Sequence, residues 1–137
     1  MSFWSPDFKA LQAAARHGQL ERVRELLDRR VDQNTHPGMP KEWSPLMYAA
    51  YNGHPEIVRL LVERGANINF ECGDCFTALT LAAGKGHWEI VKYLAERGGD
   101  VSHKDASGVS GLSAAERSGD AALVAALQNA PSRGQSA

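Results

Sequence analysis

From Ser44 to Asn69 the chain reads SPLMYAAYNGHPEIVRLLVERGANIN, and Gly53 divides its apolar positions into two groups. After the glycine, Ile57, Val58, Leu61 and Val62 recur at the spacing of one helix face, with Arg59, Glu63 and Arg64 on the other. Before it lies a shorter helix of about two turns that Ser44 can cap through its hydroxyl, with Pro45 suited to the first turn. Gly53 suits the left-handed conformation that ends such a helix, and Gly65 closes the second. The polar stretch that follows, of about a dozen residues, reads as a turn-bearing connector.

This pattern recurs. TALTLAAGKGHWEIVKYLAERGGDVS starts at Thr77, 33 residues after Ser44, and repeats the leucine, alanine, glycine, histidine, isoleucine and valine positions. A further 33 residues on, SGLSAAERSGDAALVAAL keeps Leu112, Ala115, Gly119, Leu123, Val124 and Leu127 in register. Backwards, at a step of 35, ALQAAARHGQLERVRELLDRR supplies Leu11, Ala14, Gly18, Val23 and Leu26, which places the two extra residues within VDQNTHPGMPKEW. The chain therefore divides into four helix-turn-helix units at about 5–34, 42–70, 75–103 and 108–130, with residues 131–137 expected to be a frayed tail. The small pairs Ala49–Ala50 and Ala82–Ala83 let neighbouring helices approach closely.

No such unit can bury its apolar stripe alone, so the units must stack. Arg22 and Glu25 in the first unit stand where later units have Ile57 and Leu60, while Glu116 and Gln128 in the last replace Ala50 and Val62. Polar residues on the outward sides of the end units predict a stack complete in itself, a single all-α solenoid domain over 1–137.

Over about residues 5–130 these units resemble the ankyrin repeat family, whose pattern runs T-P-L-H-x-A-A-x-x-G-H, an I-V-x-x-L-L helix, then G-A-x-x-N. The resemblance implies stacked helix pairs with hairpin loops projecting at right angles, and a role in holding other proteins. The chain departs from the pattern at the histidine after the leucine, which is here Gln12, Met47, Thr80 and Ser113. The side-chain link between units that the histidine provides is thus expected to be absent or weakened.

Composition narrows the partners. The 137 residues carry 15 basic and 16 acidic side chains, a net charge of −1, so no broad basic footprint points to nucleic acid or anionic lipid. No apolar run approaches a membrane span, and MSFWSPDFKA lacks the regions of a secretory signal. With two cysteines, the chain is expected to be cytoplasmic.

Those cysteines, Cys72 and Cys75 in ECGDCFTAL, form a C-x-x-C pair at the tip of the second connector. One unit later the same slots hold Asp105-Ala106-Ser107-Gly108, so Cys72 stands in an aspartate slot and Cys75 in a glycine slot of a hairpin turn. A zinc site needs four ligands and would have to recruit His36 or His103 from neighbouring connectors. Redox chemistry of the thioredoxin type places its cysteine at a helix start after a strand, a context missing here. Free thiols are the favoured reading, and a zinc- or redox-responsive switch is the alternative.

Gly84-Lys85-Gly86 fails the phosphate-loop spacing, and Leu112 stands where a nucleophile elbow around Ser110 needs glycine; Ser110 reads as a helix cap. His54 and His87 read as turn residues, and His36 and His103 as solvated ones. With no convergent acid, base and nucleophile, the chain is expected not to be an enzyme and to need no cofactor.

Specificity must then reside where units differ, on the concave face of first helices and hairpins. The candidates for partner binding are Arg16, His17, Tyr51, Asn52, Lys85 and Arg117 on the helices, with Trp43, Glu71, Asp74 and Phe76 in the connectors. Aromatics beside charges are typical of binding hot spots, although Trp43 and Phe76 can equally cover the junction of hairpin and helix. Trp88, at the start of a second helix, is expected to pack. Pro37-Gly38-Met39-Pro40 is a further candidate contact, and Phe3 and Trp4 are expected to fold over the first unit. The expected function is a monomeric, non-catalytic protein–protein interaction module acting as adaptor, inhibitor or neutralising partner, without nucleic acid or membrane.

Overall fold

The computed structural model describes residues 6–34 and 42–131. They form eight helices in four antiparallel pairs: α1 (Pro6–Arg16) with α2 (Leu20–Asp28), α3 (Pro45–Tyr51) with α4 (Pro55–Glu63), α5 (Ala78–Gly84) with α6 (Trp88–Glu96), and α7 (Gly111–Ser118) with α8 (Ala121–Gln128). First helices pack in the row α1, α3, α5, α7, and second helices in the row α2, α4, α6, α8. Among the described residues the only bridge between extended segments joins Lys104 and Ser110 in the connector before α7.

Local chemistry starts each first helix as its sequence suggests. The Ser44 hydroxyl accepts from the Met47 N–H, and Thr77 and Ser110 form reciprocal capping boxes with Thr80 and Ser113. At the other end Gly18, Gly53, Gly86 and Gly119 all adopt φ between +75 and +78, the left-handed turn into the second helix. Leu11, Leu46 and Leu79 fill the core together with Val23, Ile57, Val58, Leu61, Ile90, Val91 and Leu94. Ala14, Ala49, Ala82 and Ala115 are each at most 1 % exposed, which leaves no room for a larger side chain between first helices. Arg22, Glu25, Glu116 and Gln128 are exposed, so the end pairs of the described stack turn polar side chains outward. Trp88 is half-buried against the core.

The links between units differ from the expectation. His54 and His87 occupy helix-start positions but do not cap their own helices. Each imidazole instead crosses to the preceding unit, where Nε2–H donates to a carbonyl: His54 to Arg16 at 3.0 Å, and His87 to Tyr51 at 3.1 Å. The rings lie over the turn glycines of that unit, with Cε1 only 2.8 Å from where a Cβ on Gly18 or Gly53 would sit. Gln12 also links units, donating to the Trp43 carbonyl at 2.8 Å, so the link expected to be lost is restored at the first junction. Asn34 and Asn69 tie successive connectors through Gly65 and Asn67, and through Gly98 and Asp100.

Candidate functional site

Two adjoining grooves run along the face made by first helices and the segments entering them. One, of about 350 Å³, is lined by Arg16, Trp43, Tyr48, Tyr51 and Asn52. The other, of about 490 Å³, is lined by Tyr51, Phe76, Thr80, Leu81, Ala83, Gly84, Lys85, Asp105, Val109, Ala114 and Arg117. Tyr51 belongs to both and forms the ridge between them.

Packing among aromatics shapes that ridge. The Trp43 ring sits 5.3 Å from Tyr48 and 5.2 Å from Tyr51, the latter at 66°, an edge-to-face contact. Lys85 Nζ lies 5.0 Å from the centre of the Tyr51 ring, within cation–π range. Backbone position is set from behind, because the carbonyls that accept from His54 and His87 belong to Arg16 and Tyr51 themselves. The clasp between units therefore also fixes two groove residues.

Of the ten residues proposed from sequence, seven line the grooves: Arg16, Trp43, Tyr51, Asn52, Phe76, Lys85 and Arg117. Trp43 and Phe76 are half-buried, covering the junction with one face while lining a groove with the other. His17, Glu71 and Asp74 are exposed and line neither groove. Glu71 lies 3.5 Å from His103 Nε2, and the Asp74 carbonyl accepts from the Ala106 N–H of the next connector. The lining also takes in Tyr48, Thr80, Leu81, Ala83, Gly84, Asp105, Val109 and Ala114, none of them among those ten, and of these Tyr48 and Leu81 carry a signal in the sequence. They hold equivalent places in consecutive units, three residues before Tyr51 and Gly84 on the same helix faces, and that spacing was the available signal.

The connector tips have their own order. Cys72 through Cys75 form a turn closed by the Cys75 N–H on the Cys72 carbonyl at 3.0 Å. Cys75 has φ 64, a left-handed conformation matching Gly108 at φ 87 one unit later. Both cysteines are free thiols; Cys72 is buried and Cys75 half-buried. His103, expected to be solvated, instead donates from Nε2 to the Cys75 carbonyl at 2.8 Å and ties the two tips together. Among the described residues no three His, Cys, Asp or Glu side chains are grouped to hold a metal. His36, Pro37-Gly38-Met39-Pro40, Phe3, Trp4 and all of the tail except Pro131 lie outside the described residues.

Asp105 plays the part in its tip that Cys72 cannot. Its carboxylate accepts from the Ser107 hydroxyl at 2.6 Å and from the Ser107 and Val109 N–H groups. The Ser107 hydroxyl bond, opposed by desolvation and helped by the Val109, Ser107 and Gly108 amides, holds this carboxyl below its ordinary pKa.

Stacked helix pairs with turned tips define a helical-repeat solenoid with an open groove on one side. Comparison with known proteins places it further. The family model for ankyrin repeats (three copies) matches residues 5–72, and that for the single ankyrin repeat matches residues 74–106. The chain belongs to the ankyrin repeat family, whose repeats are generally protein–protein interaction modules and typically non-enzymatic. It is similar to the human ankyrin repeat and SAM domain-containing protein 3, at 48 % identity over 60 residues, 43 % of this chain and 9 % of that protein. Alpha-latrotoxin-Lh1a of Latrodectus hasselti is 39 % identical over 69 residues, 50 % of this chain and 5 % of the toxin. The human ankyrin repeat, SAM and basic leucine zipper domain-containing protein 1 is 48 % identical over 56 residues, 39 % of this chain and 11 % of that protein. The chain thus spans 5 % to 11 % of the length of these relatives. Among the described residues no helix is long and apolar enough to cross a membrane.

Proposed function

We propose that this chain is a non-catalytic adaptor or inhibitor, monomeric and cytoplasmic, that holds another protein along the two grooves meeting at Tyr51. The observation that carries this reading is the gathering of Trp43, Tyr48 and Tyr51 into one ring cluster beside Arg16 and Lys85 on an open groove wall. Half-buried aromatics that retain an accessible face are already ordered before binding, so a partner meeting them immobilises few side chains. Two free thiols support a reducing compartment.

The test uses a partner captured from the source organism, identified and purified, then titrated calorimetrically against wild type, Trp43→Ala and Tyr51→Ala. Truncation of a central aromatic should weaken binding by about 2 kcal/mol, some thirtyfold. Wild-type affinity in both variants would show that the partner uses another face. Sizing at two concentrations checks the monomer.

A further inference from the structure

Among the described residues, most arginines on the side of the second helices are paired with carboxylates, although Arg30, Lys92 and Arg97 there are not, whereas none of the groove cations is. On the side of the second helices, Arg22 pairs with Glu25, Arg24 with Glu21, Arg59 with Glu89, and Arg64 with Asp28 at 2.8 Å. Along the grooves stand Arg16, Lys85 and Arg117, and no ion pair joins any of them to a carboxylate among the described residues. The one carboxylate in the groove lining, Asp105, is turned to Ser107 and Val109 of its own tip. A chain of net charge −1 thus carries a local excess of positive charge on its half-apolar groove wall. Unpaired cations beside low-dielectric walls favour carboxylates and repel other cations.

We propose that the grooves select an extended polypeptide segment rich in carboxylates, with an apolar side chain between them for the wall formed by Phe76 and Leu81. This inference rests on the grooves being the partner surface. Neighbouring helices lie about 8–10 Å apart, and an extended chain advances about 3.3 Å per residue. One unit therefore spans about three residues of the guest. Carboxylates facing Lys85 and Arg117, on adjacent units, stand about three residues apart, and one facing Arg16 stands about six from that facing Lys85. A nucleic-acid strand fits less well. It repeats a phosphate at every nucleotide, and three cations on a chain of net charge −1 leave most of them unmatched.

The experiment pans a random 12-residue peptide display library against the full chain. Selected peptides are then synthesised with a fluorescent label and titrated by anisotropy. Asp and Glu should be enriched over the unselected library. Replacing the acids of a selected peptide by Gln and Asn should weaken it about tenfold. Arg16→Glu, Lys85→Glu and Arg117→Glu should weaken it comparably, and Arg24→Glu on the opposite face should leave it unchanged, with circular dichroism melts confirming that each variant is folded. Peptides that lose binding on Trp43→Ala or Tyr51→Ala yet show no acidic enrichment overturn the charge inference and leave the grooves as the partner surface. Selection of only those peptides that ignore both aromatic substitutions, or of none, overturns both. Tighter binding of a labelled 12-nucleotide thymidine strand than of the best acidic peptide overturns the inference in favour of nucleic acid.

Discussion

Gly53→Ala isolates the clasp between units. The new methyl would lie 2.8 Å from His87 Cε1 and 3.1 Å from both ring nitrogens, so the imidazole has to leave. Its bond to the Tyr51 carbonyl, 3.1 Å long, goes with it. A non-glycine residue at φ +75 adds about 1–2 kcal/mol of backbone strain. The lost hydrogen bond adds about 0.5–1.5 kcal/mol, giving a total of about 1.5–3.5 kcal/mol. Gly86→Ala is the control. It has φ +76, and its nearest neighbour is Trp88 Nε1 at 4.0 Å, so only the backbone strain remains. With a urea slope of about 1–3 kcal/mol per molar, the two midpoints should differ by about 0.5 M. In a His87→Ala background the Gly53→Ala penalty should fall to that of Gly86→Ala, a coupling of about 1 kcal/mol. Equal penalties for the two alanines in the wild-type background, or a Gly53→Ala penalty that persists without His87, would refute the clasp.

Three further outcomes are expected. Arg30 holds φ 62 where Gly65 and Gly98 serve the later units, so Arg30→Gly should stabilise the fold by about 1 kcal/mol in urea titration, and a loss of stability would contradict the assigned strain. Gly84 lies in α5 with ordinary φ and open space around its Cβ position, so Gly84→Ala should raise stability by up to about 1 kcal/mol in the same assay. The depressed pKa of Asp105 means that its stabilising contribution is complete above the ordinary carboxylate pKa near 3.8 and disappears as pH falls through the lower folded value. The difference in urea midpoint between wild type and Asp105→Asn should therefore shrink with falling pH in the acid range, and a difference independent of pH would sink that account.

The helix pairs were legible because each unit states the same rule several times: a hydroxyl cap at Ser44, Thr77 and Ser110, a left-handed glycine, then an apolar stripe at helical spacing. Tertiary reach was less visible. Gln12 has the length to span to the Trp43 carbonyl, but which of two units a flexible amide serves is decided only by packing. His103 could not be told from a solvated histidine, since its partner is a carbonyl, and every residue has one. The groove residues on the helices followed from positions that differ among units. Glu71 and Asp74 did not join them, because repeat register marks a residue as belonging to a tip without saying which side of the tip its side chain takes.

The residue that opens each second helix has one side chain and two uses for it. Asp120 accepts from the Leu123 N–H and serves its own helix, whereas His54 and His87 leave that position uncapped and reach across to the unit before. At the last junction the polar links described lie instead at the connector tips, through His103 and Ala106. The first three layers are thus stitched through their turns, whereas the fourth is held to the third by helix packing and by its connector, so the amides of α7 and α8 should exchange with solvent deuterium ahead of those in the earlier helices.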